Sequence, residues 1–185
     1  QEYSLLLKAQ QQVVPEKHLV MKAPDHMPNL GALLSAVPNA RIVQLHRNPT
    51  TCLTSLNSLF YSTHRAVTND INPQRLAEVN KKMFTNYLKM SHGYRSNPAI
   101  TNAVLDVQYE QLVADPMKTV KDIYAHFSVP WSDEYEERLK NFLSNHPKDK
   151  HGAHHYTPEQ FGQSADDLNA HFASVSDDVS ISTKK

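Results

Sequence analysis

Four side chains in this sequence pair a charged or reactive group with a position where anions gather. Arg47 closes an apolar run, Arg41 to His46, and stands directly before Asn48-Pro49, a cap and first-turn pair that opens a helix. The dipole and the free amides of a helix N-terminus favour an anion, so a guanidinium beside them suits a phosphate. Ser55, eight residues on, can add a hydroxyl if that face of the helix turns toward the strand ends. The plainer alternatives are an Arg47 paired with a local carboxylate and a Ser55 that is only a polar helix position. Lys22 ends another short apolar run, Leu19-Val20-Met21-Lys22, and offers a compact cation where negative charge develops during group transfer. A solvated surface lysine is its alternative. His26, four residues later and just before a helix, can take a proton near neutral pH or can cap that helix.

Other chemistries are excluded or disfavoured. Eleven histidines suggest a metal, above all His151, His154 and His155 beside His146. No carboxylate stands at a helical i+4 partner position, a loop rich in His and Lys accounts for them equally well, and no metal site is expected. Four scattered glycines (Gly31, Gly93, Gly152, Gly162) build neither a Walker loop nor a dinucleotide fingerprint. The single cysteine, Cys52, excludes an internal disulfide. Nineteen basic residues balance nineteen acidic ones at a pI near 7.3, so nothing steers the whole surface to nucleic acid. No apolar run approaches the roughly 18 residues of a spanning helix, and a cytoplasmic location is expected.

The elements that must carry these residues follow from periodicity. The chain, 185 residues long, is one domain's worth at roughly 100 to 200 residues each. A helix from Gln1 to about Val14 ends at Pro15, and Leu19 to Lys22 reads as a short buried strand. Leu30, Leu33, Leu34 and Val37 mark a helix face, and Arg41 to His46 a strand. The helix after Asn48-Pro49 should bury Leu53, Leu56 and Phe60. A long helix from about Pro73 to Ser91 should bury Leu76, Val79, Met83, Tyr87 and Met90. After a break at Gly93 to Asn97, Ala103 to Val107 is a third strand. Asp115-Pro116 opens a helix facing Val120, Ile123, Tyr124 and Phe127 inward, and Asp133 to Ser144 is the last. One domain over 1–172 and a disordered Ser- and Asp-rich tail over 173–185 are expected. Strands alternating with helices in this way imply an α/β fold, a parallel sheet with helices on both faces. Ligands of such sheets sit outside the carboxyl ends of the strands, which directs attention to Lys22 to His26, His46 to Pro49 and Gln108 to Glu110.

Three segments carry a family resemblance. Val20 to Ser58, VMKAPDHMPNLGALLSAVPNARIVQLHRNPTTCLTSLNS, resembles the central segment of sulfotransferases that use 3′-phosphoadenosine 5′-phosphosulfate (PAPS). Val107 to Trp131, VQYEQLVADPMKTVKDIYAHFSVPW, is similar to that family's Tyr-Glu-x-Leu segment, and His151 to Gly162, HGAHHYTPEQFG, to the loop that closes over the nucleotide in bacterial-type members. The resemblance implies a P-loop-NTPase-like sulfotransferase fold and transfer of a sulfuryl group from PAPS to a hydroxyl or amine of a small-molecule, peptide or carbohydrate acceptor. It implies that Arg47 and Ser55 bind the 3′-phosphate, that Tyr109 lies near the adenine, and that Lys150 and Gly152 belong to the closing loop. Lys22 then stabilises the leaving phosphate and His26 takes the acceptor's proton. The family's Pro-x-Ser-Gly-Thr-Thr loop for the 5′-phosphosulfate is expected upstream of Gln1, so the resemblance is to the C-terminal two thirds of such an enzyme, an N-terminally truncated version of the fold. Without that loop the 185 residues alone are expected not to transfer sulfuryl groups. The rivals are a non-catalytic nucleotide-binding or interaction module on the same fold, and a nucleotide-dependent phosphotransferase.

Overall fold

A computed structural model describes residues 2–13, 15, 18–146 and 155–182. The helices are α1 (Glu2–Val13), α2 (Leu30–Ala36), α3 (Pro49–Arg65), α4 (Pro73–Arg95), α5 (Pro98–Ala103), α6 (Tyr109–Ala114), α7 (Pro116–His126), α8 (Asp133–Asn145) and α9 (Ala165–Ser182), with short 3-10 helices at Pro24–Asn29 and Pro158–Phe161. Four helices start by one device. Asn48, Asn72, Asn97 and Asp115 each precede a proline, and each side chain accepts a hydrogen bond from a first-turn amide, at Thr51, Arg75, Ala99 and Lys118. The proline fixes φ where an N–H would have had no partner, and the side chain satisfies another of the orphaned donors.

Two strands, β1 (Ile42–His46) and β2 (Val104–Gln108), pair in parallel, with Ile42 opposite Val104 and His46 opposite Gln108. The α/β architecture is as the sequence implies. The strand expected at Leu19 to Lys22 is different: the segment is irregular and exposed, with Val20 at 89 %. A strand exists only by pairing, and no described strand lies beside this one. Helix α4 also runs through Gly93 without the expected break, because a lone glycine inside a helix costs only about 1 kcal/mol.

The core is divided. Leu30, Ile100 and Val104 pack with Leu34, Ile42 and Tyr94, which seats α2, α5 and the end of α4 on the sheet. Gly31 permits this seat, since a Cβ there would lie 2.9 Å from the Tyr94 ring. Leu53, Leu168 and Phe172 form the second cluster with Phe84 and Leu88, joining α3, α4 and α9. Val43 and Leu45, on the alternate positions of β1, are exposed.

Several expected buried stripes are corrected. On α3 the buried residues are Thr50, Leu53, Thr54 and Asn57, while Leu56 and Phe60 are half-buried. On α4 they are Ala77, Asn80 and Ser91, and Val79 is 58 % exposed. The true face of α4 is thus the expected one advanced by a single residue, a rotation of about 100°. Amides explain it. Asn80 Nδ2 donates to Asn57 Oδ1 at 2.9 Å, Asn57 Nδ2 donates to Gln163 Oε1 at 3.1 Å, and Gln163 Nε2 reaches the Ala77 carbonyl at 3.5 Å. A satisfied polar ladder occupies the seam where periodicity alone places Leu and Val. The expected disordered tail from 173 is corrected too: α9 continues to Ser182, with Leu168, Phe172 and Val175 buried at i, i+4 and i+7. Three apolar residues were enough, because Thr50 also donates to Asn169 at 2.6 Å and His171 shares a 2.9 Å bond with Thr85. Farther out, Glu136 joins α7 to α8: hydrogen bonds from Lys121, Trp131 and Lys140 hold its pKa down to about 2.

Among the described residues no helix is long and apolar enough to cross a membrane. The ladder makes a direct prediction. Asn80→Ala leaves the buried Asn57 carbonyl without its donor and should destabilise the fold by about 1 to 3 kcal/mol. Urea unfolding of Asn80→Ala, Asn57→Ala and the double variant checks it, the double costing less than the sum of the singles.

Candidate functional site

Register builds the site. His46 and Gln108 are opposite one another at the last pairs of β1 and β2, so the next residues, Arg47 and Tyr109, leave the sheet side by side. The guanidinium carbon of Arg47 lies 4.6 Å from the centre of the Tyr109 ring. Such a cation–π contact holds the flexible arginine in one place without neutralising it. The turn from β2 into α6 is set by a capping box, in which the Gln108 and Gln111 side chains each satisfy the other's backbone amide.

An open cleft of about 400 Å³ lies here, lined by Arg47, Asn48 and Thr51 from the start of α3 and by Tyr109, Glu110, Val113 and Ala114 from α6. The start of α3 offers fewer amides than the sequence suggests. Pro49 has none, the Thr51 amide bonds Asn48 Oδ1, and the Cys52 amide bonds the Asn48 carbonyl. An anion here would therefore be held mainly by Arg47 and the helix dipole. Ser55 is half-buried on the α3 face that carries Asn48 and Thr51, one turn or about 6 Å beyond Thr51, and it does not line the cleft. Burial pushes the Cys52 thiol up despite the Arg47 charge, and Glu110 adds to the rise. That thiol is no ready nucleophile.

The other expected residues lie apart from the cleft. Lys22 is exposed in the irregular segment before the Pro24–Asn29 helix, not at a strand end. His26 is half-buried in that helix, where its Nε2 and the Tyr3 hydroxyl are 2.9 Å apart. Neither lines the cleft. Lys150, Gly152, His151 and His154 lie outside the described residues. His146 bonds the Phe142 carbonyl through Nδ1, and among the described residues no three His, Cys, Asp or Glu are grouped to hold a metal.

The sequence reading missed what lies behind the strand ends. Asp106 Oδ1 is 2.7 Å from His46 Nε2, and its Oδ2 accepts from Arg95 at the end of α4 at 2.5 Å. Arg95 also reaches Gln44 Oε1 at 3.5 Å, and Gln44 donates to Ser91 at 3.4 Å. Burial alone would raise the Asp106 carboxyl, but the hydrogen bonds and charges of His46 and Arg95 together bring it below its ordinary value. Burial, with the nearby His46 and Arg95, lowers the pKa of His92, whose buried Nδ1 has no hydrogen-bond partner among the described residues. A signal existed: Gln44, His46 and Asp106 interrupt two apolar strands on a single face.

Comparison with known proteins adds the family. Residues 2–133 match the model of the sulfotransferase family. The chain belongs to that family. It is 21 % identical, over 146 residues, to omega-hydroxy-beta-dihydromenaquinone-9 sulfotransferase Stf3 of Mycobacterium bovis and of Mycobacterium tuberculosis, covering 78 % of this chain and 37 % of the relative. Among solved structures it resembles sulfotransferase STF9 from Mycobacterium avium, with TM-score 0.75 and 24 % identity over 85 % of this chain and 40 % of that one. Sulfotransferase STF1 from Mycobacterium tuberculosis H37Rv gives TM-score 0.70 and 28 % identity over 86 % and 40 %. The chain thus spans about two fifths of the length of these sulfotransferases.

The depressed Asp106 carboxyl fixes a sign. Its contribution to stability is fully present above the unfolded carboxylate pKa of about 3.9 and is lost as pH falls through the lower folded value. Asp106→Asn should therefore be less stable than wild type at pH 7, and the gap should narrow at pH 3. Urea midpoints at the two pH values measure it.

Proposed function

We propose that the cleft at the ends of β1 and β2 holds the adenosine 3′,5′-bisphosphate part of PAPS, in a sulfotransferase that passes the sulfuryl group to an acceptor hydroxyl or amine. The observation that supports this best is the Arg47 guanidinium held over the Tyr109 ring at the start of α3. The residues fit the group. A fixed cation at a helix N-terminus suits a phosphate, and an aromatic face beside it suits a purine. Glu110 is acceptor-only and suits the amine or hydroxyls of a nucleoside rather than its phosphates. Ser55, on the same face of α3 as Thr51 but outside the cleft lining, is proposed to join Arg47 at the 3′-phosphate on the family resemblance. Lys150 and Gly152 lie outside the described residues, and their proposed closing-loop roles stand on the resemblance alone.

PAPS supplies an activated sulfuryl group whose departure leaves negative charge on the 5′-phosphate. Lys22, exposed and carried on a four-carbon stem, is the cation proposed to meet that charge. His26 is proposed to take the acceptor's proton. With Nε2 committed to Tyr3, the accepting atom is Nδ1, which requires the tautomer whose Nε2–H donates to the Tyr3 hydroxyl. Relatives at 21 % identity are named for a hydroxylated menaquinone, which is in keeping with an alcohol acceptor.

Titration calorimetry tests the cleft. Adenosine 3′,5′-bisphosphate should bind at least tenfold more tightly than adenosine 5′-monophosphate, and Arg47→Ala should remove most of that preference, as expected for charge-assisted bonds of about 1.5 to 3 kcal/mol. Equal affinities would defeat the reading, and tight binding without transfer from radiolabelled PAPS in the full-length protein would favour a non-catalytic nucleotide-binding module. For the chemistry, Lys22→Ala in the full-length enzyme should lower kcat far more than it weakens nucleotide binding. His26→Ala should flatten the pH dependence of kcat/KM near neutrality and cost about 10² to 10⁴ in rate, whereas a structural histidine would lower Tm and leave the profile in place.

A further inference from the structure

The Arg47–Tyr109 contact begins where the backbone pairing of β1 and β2 ends, at His46 opposite Gln108, and the end of a ladder frays unless side chains brace it. The bracing groups lie one residue back. His46 Nε2 and Asp106 Oδ1, 2.7 Å apart, cross from β1 to β2 immediately before Arg47 and three residues before Tyr109. In the register Asp106 is opposite Gln44, so the His46 bond runs diagonally toward the strand ends. The second carboxylate oxygen is held by Arg95, and the Arg95 side chain is only 20 % exposed. Arg95 in turn approaches Gln44, and Gln44 donates to Ser91, so both strands and the last turns of α4 meet in one network. A carboxylate taking charge-assisted bonds on both oxygens is among the stiffer polar joints available to a protein.

We propose that His46 and Asp106 are positioning residues, a cross-strand clamp anchored by Arg95 that braces the last pair of the two strands against fraying and so holds Arg47 over Tyr109 for the 3′-phosphate. The inference rests on the nucleotide reading for its functional meaning. Its geometric content does not: the cation–π contact holds the guanidinium only as well as the two strand ends hold Arg47 and Tyr109 beside one another. Misplacement of a binding group by about 1 Å is enough to lose much of a directed charge contact. His46 thus acts through Arg47, and neither clamp residue lines the cleft.

Two readouts on the purified protein decide it. Calorimetry gives the ratio of Kd for adenosine 5′-monophosphate to Kd for adenosine 3′,5′-bisphosphate, and NMR of the Arg47 Nε–Hε group reports the cradle with no nucleotide present. His46→Leu should cut the ratio at least fivefold and shift the Arg47 resonance. His46→Gln, which returns an N–H donor within reach of Asp106, should restore both, an outcome a merely bulky core position would not give. Asp106→Asn keeps the side-chain shape while losing the charge, and should also lower the ratio, which covers the case in which His46→Leu does not fold. A wild-type ratio and an unmoved Arg47 resonance in His46→Leu, with Arg47→Ala still abolishing the preference, would overturn the clamp and leave the nucleotide reading standing. A wild-type ratio near one would instead remove the nucleotide reading, and the Arg47 resonance in the His46 variants would then judge the clamp by itself.

Discussion

The pairing of His46 with Gln108 is the constraint on which the site depends. Parallel strands advance about 3.3 Å per residue and alternate faces, so a slip of one residue would carry Arg47 past Tyr109 and reverse which side chains meet α4. Register is therefore fixed twice. On one face Ile42 and Val104 enter the apolar cluster with Leu30 and Ile100. On the same face, farther along, Asp106 engages His46 and Arg95. Apolar burial supplies most of the driving force and the polar network supplies the discrimination, since a slipped carboxylate would lose two charge-assisted bonds at once.

The helical half is held on a different principle. Its seam is lined by Asn57, Asn80, Thr50 and Gln163, with apolar groups contributed mainly by Leu53, Leu168 and Phe172. Amide side chains buried between helices give little net stability when satisfied and cost much when broken. They choose one rotation of α4 about its axis. The same seam brings α9 against the first turn of α3 through Thr50 and Asn169, so the helix that opens the cleft is supported from the far end of the chain.

What was legible in the sequence was whatever local chemistry decides. Asn48-Pro49 and Asp115-Pro116 announce helix starts because cap and proline act within one turn. Arg47 was found because an apolar run ends just before it, while the end of the next run marked only Gln108 to Glu110 and the family resemblance singled out Tyr109 within it. Illegible were features set by partners distant in sequence. Leu19 to Lys22 has the composition of a strand and lacks a described neighbour to pair with. The face of α4 follows Asn57, twenty-three residues away, rather than its own largest apolar side chains. Helix α9 hides three buried residues in a Ser- and Asp-rich segment. His46 and Asp106 gain meaning only when the register brings residues sixty apart into contact.

Helix α4 meets both clusters, with Phe84 and Leu88 in one and Tyr94 in the other, and its last turn carries Arg95. In mechanical terms it is a lever resting on two supports. From Phe84 to Arg95 the helix rises about 16 Å, so a tilt of about 3° around Phe84 displaces Arg95 by about 1 Å. A small change where Phe84 meets Phe172, their rings 5.7 Å apart, is thereby magnified at the carboxylate behind the strand ends. The packing of α9 and the position of Arg95 are mechanically one adjustment.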